Sequence, residues 1–161
     1  LRCQVVYPIT EVPNRAVIEP YLHSRPYFLY VGNIESRKGA DLLLTAYVRY
    51  RKLRLQDSSV GEPYDLIFAG IEKNVQIPRT AGISVLGYVS DAIKFSLMIS
   101  SCALIVPSRA EGYGMQVAEA AALGVRCLAS DLSVFREIKS SMRDVFPIGD
   151  VDALVSKMAL L

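Results

Sequence analysis

Two acidic side chains and two glycines share one short stretch: Pro107-Ser108-Arg109-Ala110-Glu111-Gly112-Tyr113-Gly114-Met115-Gln116-Val117-Ala118-Glu119-Ala120. The pattern predicts a loop feeding a helix over 114–123. A helix start carries about half a positive charge and several unpaired N–H donors, so it can hold an anion such as a phosphate. Gly112 and Gly114 allow close approach because no Cβ stands in the way. Glu119 falls about 7–8 Å further along the axis, at about 1.5 Å per residue. An ionised carboxylate only accepts hydrogen bonds. Glu111 and Glu119 beside an anion site therefore fit a ligand that also offers hydroxyls. A sugar nucleotide offers both, with phosphates for the helix start and ribose and hexose hydroxyls for the two glutamates. The plainer alternative leaves Glu111 as a solvated loop residue and pairs Glu119 with a nearby cation.

A second loop, Gly32-Asn33-Ile34-Glu35-Ser36-Arg37-Lys38-Gly39, places two cations between glycines. Arg37 can fork onto phosphate oxygens and Lys38 can act there as a point charge. Cations near a helix start are mildly unfavourable, so their presence favours an anionic ligand over two merely solvated residues. Other phosphate-binding loops are absent. Neither Gly32 nor Gly112-Tyr113-Gly114 continues as Gly-x-Gly-x-x-Gly, and Lys38 is followed by Gly39 rather than Ser or Thr.

These loops need a scaffold, and the apolar pattern supplies one. A continuous apolar run predicts a strand at 27–31, and largely apolar runs predict others at 65–69, 83–86, 103–106 and 125–129. Leu43, Ala46, Tyr47 and Tyr50 put a helix over 40–54. Ser90 or Asp91 caps another running to about residue 101, and Gly124 suits a left-handed helix end. Short helical pieces follow near 134–138 and from 151 onward. Alternating strands and helices predict an α/β, Rossmann-like parallel sheet with helices on both faces. Ligands of such sheets bind at the carboxyl ends of strands where the order reverses. The residues to watch are thus 32–39, 70–74, 87–90 and 107–115. Residues 1–26, with a short apolar run at Val5-Val6-Tyr7 and four prolines, read as an interdomain connection; residues 27–161 read as the binding domain.

Composition narrows the rest. With 18 basic and 16 acidic residues the net charge is +2, too weak to argue for nucleic acid. No apolar run reaches the roughly 18 residues of a membrane span. Cys3, Cys102 and Cys127 form neither a disulfide framework nor a zinc pair. Cys102 and Cys127 read as buried small hydrophobes in a reducing compartment. The single histidine, His23, excludes a two-histidine metal site and reads as a surface loop residue. The chain opens at Leu1 and stops inside a helical pattern, so it is expected to be a domain cut from a longer protein.

The stretch from Pro107 to Glu119 resembles the Glu-x7-Glu signature of retaining, sugar-nucleotide-dependent glycosyltransferases of the GT-B fold, the large family-four group. The resemblance covers about residues 27–157 and holds in order. It runs through Gly32 and Lys38-Gly39, Gly70, Gly87-Tyr88-Val89-Ser90-Asp91, Pro107-Ser108, Glu111 to Gly114, Glu119-Ala120, Gly124, Ala129-Ser130-Asp131 and Glu137. It implies that the chain is one half of a GT-B fold, the donor-binding half, with the acceptor-binding domain missing.

By the same resemblance, Lys38 contacts the donor diphosphate. Glu111 lies by the transferred sugar and the reaction centre. Gly112, Tyr113, Gly114 and Met115 offer backbone to sugar or phosphate, Glu119 binds ribose, and Val89 lies against the nucleobase. Gly32, Asn33 and Arg37 complete the implied donor site. Asn33 stands where the family often has arginine, and Arg37 is the expected replacement. Gln116 and Arg126 stand where proline is frequent and read as tolerated surface changes. The implied reaction transfers a hexose from a nucleoside diphosphate sugar, GDP-mannose or a UDP-sugar, to a hydroxyl. No metal or other cofactor is implied. The expected location is cytoplasmic, with any membrane contact falling to the missing half. A non-catalytic nucleotide-binding module and an interaction domain without a small ligand are the alternatives.

Overall fold

The computed structural model describes residues 10–57, 59, 61–138 and 144–161. Six strands form one sheet: β1 (Tyr27–Val31), β2 (Asp65–Ala69), β3 (Ile83–Gly87), β4 (Ala103–Val106), β5 (Cys127–Ser130) and β6 (Val145–Phe146). Five helices accompany them: α1 (Ala40–Gln56), α2 (Asp91–Ser100), α3 (Met115–Leu123), α4 (Ser133–Ile138) and α5 (Val151–Ala159). The strand order is β3-β2-β1-β4-β5-β6, and every neighbouring pair is parallel. This is the Rossmann-like order, with its reversal between β1 and β4.

The continuous apolar runs follow from burial on both faces. Along β1, Phe28 and Tyr30 point into one core, with Leu66, Phe68 and Ile105 and with Leu43, Ala46, Tyr47 and Tyr50 of α1. Tyr27 and Leu29 point into the other, with Ile67, Leu104, Ala129 and with Phe95, Met98, Val117, Ala120 and Phe135 from α2, α3 and α4. Burying tyrosine requires a partner for its hydroxyl. Tyr27 donates to the Leu97 carbonyl at 2.9 Å, and Tyr47 to that of Gly82 at 2.7 Å. Burial raises the Tyr27 hydroxyl pKa well above the ordinary value.

Several local expectations shift. The fifth strand begins at Cys127 rather than Val125, because the Val125 N–H still bonds to the Ala120 carbonyl in the helix-ending turn. β6 has only two residues, too few to leave a periodic signal. Cys102 and Cys127 are half-buried rather than buried, and Cys3 lies outside the described residues, as does the run at 5–7. His23 is not a free surface side chain: its Nε2 lies 2.9 Å from Asp65 Oδ2 at the start of β2.

Residues 10–26 lie against the domain. The Arg15 guanidinium donates to the Leu123 carbonyl at the end of α3, and the Tyr21 N–H donates to Ser100 Oγ at 2.8 Å. Val12, Ile18 and Tyr21 pack against the second core. Among the described residues, no helix is long and apolar enough to cross a membrane.

Candidate active site at the β1–β4 crevice

The ladder between β1 and β4 pairs Phe28 with Ala103 and Leu29 with Leu104. Beyond it, at the carboxyl ends, Tyr30, Val31, Ile105, Val106 and Pro107 line a small crevice together with Lys38, Ser108, Glu111 and Gln116. Both chemistry-bearing loops thus meet where the strand order reverses. Lys38 ends a short 3-10 turn at Ser36–Lys38, and Gly39 then takes a left-handed conformation (φ 71°) to start α1. A Cβ on Gly39 would lie 2.0 Å from the Pro107 carbonyl oxygen, so glycine lets the two loops touch.

Lys38 Nζ lies 3.4 Å from Glu111 Oε1, and Ser108 Oγ donates to the same oxygen at 2.8 Å. The Glu111 side chain is only 9% exposed, so the solvated alternative fails. Reciprocal bonds hold the loops in register. Arg37 donates to the Ala110 carbonyl at 3.0 Å and to Glu35 at 2.8 Å. Arg109 donates from its backbone to the Arg37 carbonyl and forks onto Asp41 at 2.8 and 2.9 Å. That fork holds the Asp41 carboxyl below the usual carboxylate range. Burial, with Glu35 and Glu111 close by, raises the Tyr30 hydroxyl pKa; the hydroxyl donates to the Asn33 carbonyl at 2.6 Å.

Gly114 opens α3 in a left-handed conformation (φ 88°) with no side-chain cap on the helix start. By contrast, Ser90 caps α2 and Asp150 caps α5. The α3 start is therefore the one of these three whose first N–H groups meet no capping side chain. Gly112 faces open space, Tyr113 is half-buried, and Met115 is exposed. Gly32, at φ 123°, closes β1 beneath Lys38, while Asn33 is exposed.

Glu119 is buried and bonded at 2.7 Å to Lys94 of α2, as the plainer alternative held. Lys94 also meets Asp91 at 2.9 Å. Burial works against the Lys94 charge, but its two carboxylate partners outweigh that and raise its pKa. A carboxylate has about four lone-pair sites, so Glu119 keeps acceptor capacity beyond Lys94. Val89 follows β3 on the same rim of the sheet and packs against the second core.

The sequence reading missed three contributors. Ser108 orients Glu111, and Lys94 neutralises Glu119. Gln116, expected as a surface change, lines the crevice beside Lys38 and Glu111. Nothing in local periodicity marks these partners, because each pairing is set by strand order. Arg126, the other departure from proline, does sit at the surface, bonded to Asp144 at 2.9 Å.

A family model described as glycosyl transferases group 1 matches residues 25–161. The chain belongs to this glycosyltransferase family. Among relatives, O-antigen chain mannosyltransferase B of Escherichia coli is 30% identical over 134 residues, covering 80% of this chain and 34% of that protein. The serotype-specific mannosyltransferase WbdA, also of Escherichia coli, is 29% identical over 142 residues, covering 81% of this chain and 17% of WbdA. The chain thus spans about a third or less of these relatives. Among solved structures, a sucrose-phosphate synthase from Thermosynechococcus elongatus superposes with TM-score 0.64 at 18% identity, over 91% of this chain and 40% of the other. TarM does so with TM-score 0.63 at 14% identity, over 89% and 30%. At such identities the likeness is one of fold. The domain has the Rossmann-like architecture expected of one half of a GT-B glycosyltransferase.

Proposed function

We propose that this glycosyltransferase domain is the donor-binding half of a retaining enzyme that transfers a hexose from a nucleoside diphosphate sugar to an acceptor hydroxyl. The observation that carries the reading is the meeting of Lys38 and Glu111, 3.4 Å apart, in the crevice at the strand-order reversal. In this reading Lys38 and the uncapped start of α3 face the diphosphate and stabilise the charge that grows on it as the sugar leaves. Glu111, oriented by Ser108, faces the transferred sugar. It serves as a fixed acceptor and negative charge rather than as a covalent nucleophile. Glu119 accepts from ribose with the oxygen not held by Lys94, and Val89 borders the base. Gly32, Asn33 and Arg37 frame the phosphate side, and Gly112, Tyr113, Gly114 and Met115 the sugar side.

The names of the mannosyltransferase relatives support GDP-mannose as the first donor to test, with UDP-sugars next. A second domain of the full-length protein would hold the acceptor. The charge complement assigned to the diphosphate calls on no metal. The proposed location is cytoplasmic, with any membrane contact made through the second domain. The test is calorimetry of the full-length protein against GDP, UDP and their sugars, with sugar transfer assayed in parallel. Binding with transfer supports the proposal. Binding without transfer would make the domain a nucleotide-binding module, and no binding would overturn the ligand assignment.

A further inference from the structure

The donors facing the crevice are fewer than its loops contain. Asn33 is exposed. Arg37 is turned to Glu35 and the Ala110 carbonyl. Ser108 gives its hydroxyl proton to Glu111. Lys38 already lies beside the Glu111 carboxylate, which cancels part of its charge toward a ligand. Beyond the backbone N–H groups at the uncapped start of α3, an anion with two phosphates therefore meets one partly neutralised cation.

Gln116 is different. A Cβ placed on Gly32 would lie 3.2 Å from Gln116 Nε2 and 3.5 Å from Lys38 Nζ, so the carboxamide and the ammonium converge over that glycine. The residue is half-buried, it lines the crevice, and among the described residues its carboxamide has no hydrogen-bond partner. Its N–H groups are therefore not committed to the protein and can meet a ligand at the crevice. Its place one residue into α3 fixes its stem beside the helix start, where negative charge is favoured.

We infer that Gln116 is a donor-substrate contact: its side-chain N–H groups bind the diphosphate alongside Lys38, supplying a second side-chain grip on it. This rests on the proposed reading of the crevice as a sugar-nucleotide site. The φ of 123° at Gly32 favours glycine there, and a Cβ would come within 3.2 Å of the Gln116 amide.

The experiment is calorimetric titration of the full-length protein and its variants with GDP and UDP. Gln116→Leu is expected to weaken binding of the nucleotide that the wild type prefers by about tenfold or more, the effect of losing a hydrogen bond to a charged group. Gln116→Arg is expected to tighten it and to steepen its dependence on salt, a gain that a damaged fold would not give. If Lys38→Ala weakens binding while both Gln116 variants match the wild type, the inference falls and the site assignment stands. Loss in both Gln116 variants would mean that the side chain only fills space, and also overturns it. If the wild type binds neither nucleotide, the site assignment itself falls and takes the inference with it.

Discussion

Lys38 and Glu111 face each other across the seam between β1 and β4, 3.4 Å apart, although they belong to different strand-helix crossovers. Each is shielded, at 15% and 9% exposure, so the pair is less screened than a surface ion pair. A carboxylate held this way is pre-positioned, and its removal is predicted to act on turnover. Glu111→Ala in the full-length protein should leave circular dichroism unchanged and lower kcat by about 10²-fold or more. Unchanged turnover would take Glu111 out of the site.

The loop contact at Gly39 makes a stability prediction. Alanine there must adopt a left-handed backbone, which costs roughly 1–2 kcal/mol. It must also push its Cβ away from a carbonyl oxygen 2.0 Å away. Overpacking of this kind adds about 1–3 kcal/mol. Gly39→Ala should therefore lower the denaturant midpoint by the equivalent of about 2–5 kcal/mol. Gly61→Ala, also at positive φ but with open space around it, should cost only the backbone part.

Lys94 and Glu119 separate structure from binding. Removing one partner of a buried pair costs about 3–5 kcal/mol because the other charge is stranded. Lys94→Ala should show that loss in chemical unfolding. The double variant Lys94→Met/Glu119→Met should regain most of the stability. If Glu119 contacts ribose as proposed, the double variant will still bind nucleotide more weakly than the wild type.

The Arg109–Asp41 fork is tested by acid. Because Arg109 holds the Asp41 carboxyl below its ordinary value of 3.8, the folded protein takes up that proton less readily than the unfolded chain. The fork's contribution is complete above pH 3.8 and disappears as pH falls through the lower folded value. Both partners are partly exposed, so its size is under about 1 kcal/mol. The stability gap between wild type and Asp41→Asn, followed by urea unfolding from pH 7 downward, should close below pH 3.8.

The last prediction concerns the isolated domain. With the acceptor side absent, it should bind GDP or UDP weakly and transfer no sugar. Measurable transfer by this domain alone would overturn the two-domain division of labour.

The sequence made the sheet legible because the central strands β1 and β4 are buried on both faces and read as unbroken apolar runs, while β3, at the sheet edge, is only partly buried and carries Ser84 within its run. It also made the loops legible, since Glu111, Gly114 and Lys38 sit at the predicted strand and helix boundaries. What it hid are relations between elements. Gln116 looks like an ordinary polar residue in a helix until β1 lies beside β4. Lys94 looks like a solvated helical lysine until α2 meets α3. His23 finds Asp65 only once strands β1 and β2 are paired.

The short β1–β4 ladder has one more consequence. The two halves of the sheet are joined at their middle by few backbone pairs, and the loops on either side are tied chiefly by Arg37 and Arg109. A molecule seated in the crevice would therefore brace one half against the other, and occupancy would be felt as rigidity throughout the centre of the domain.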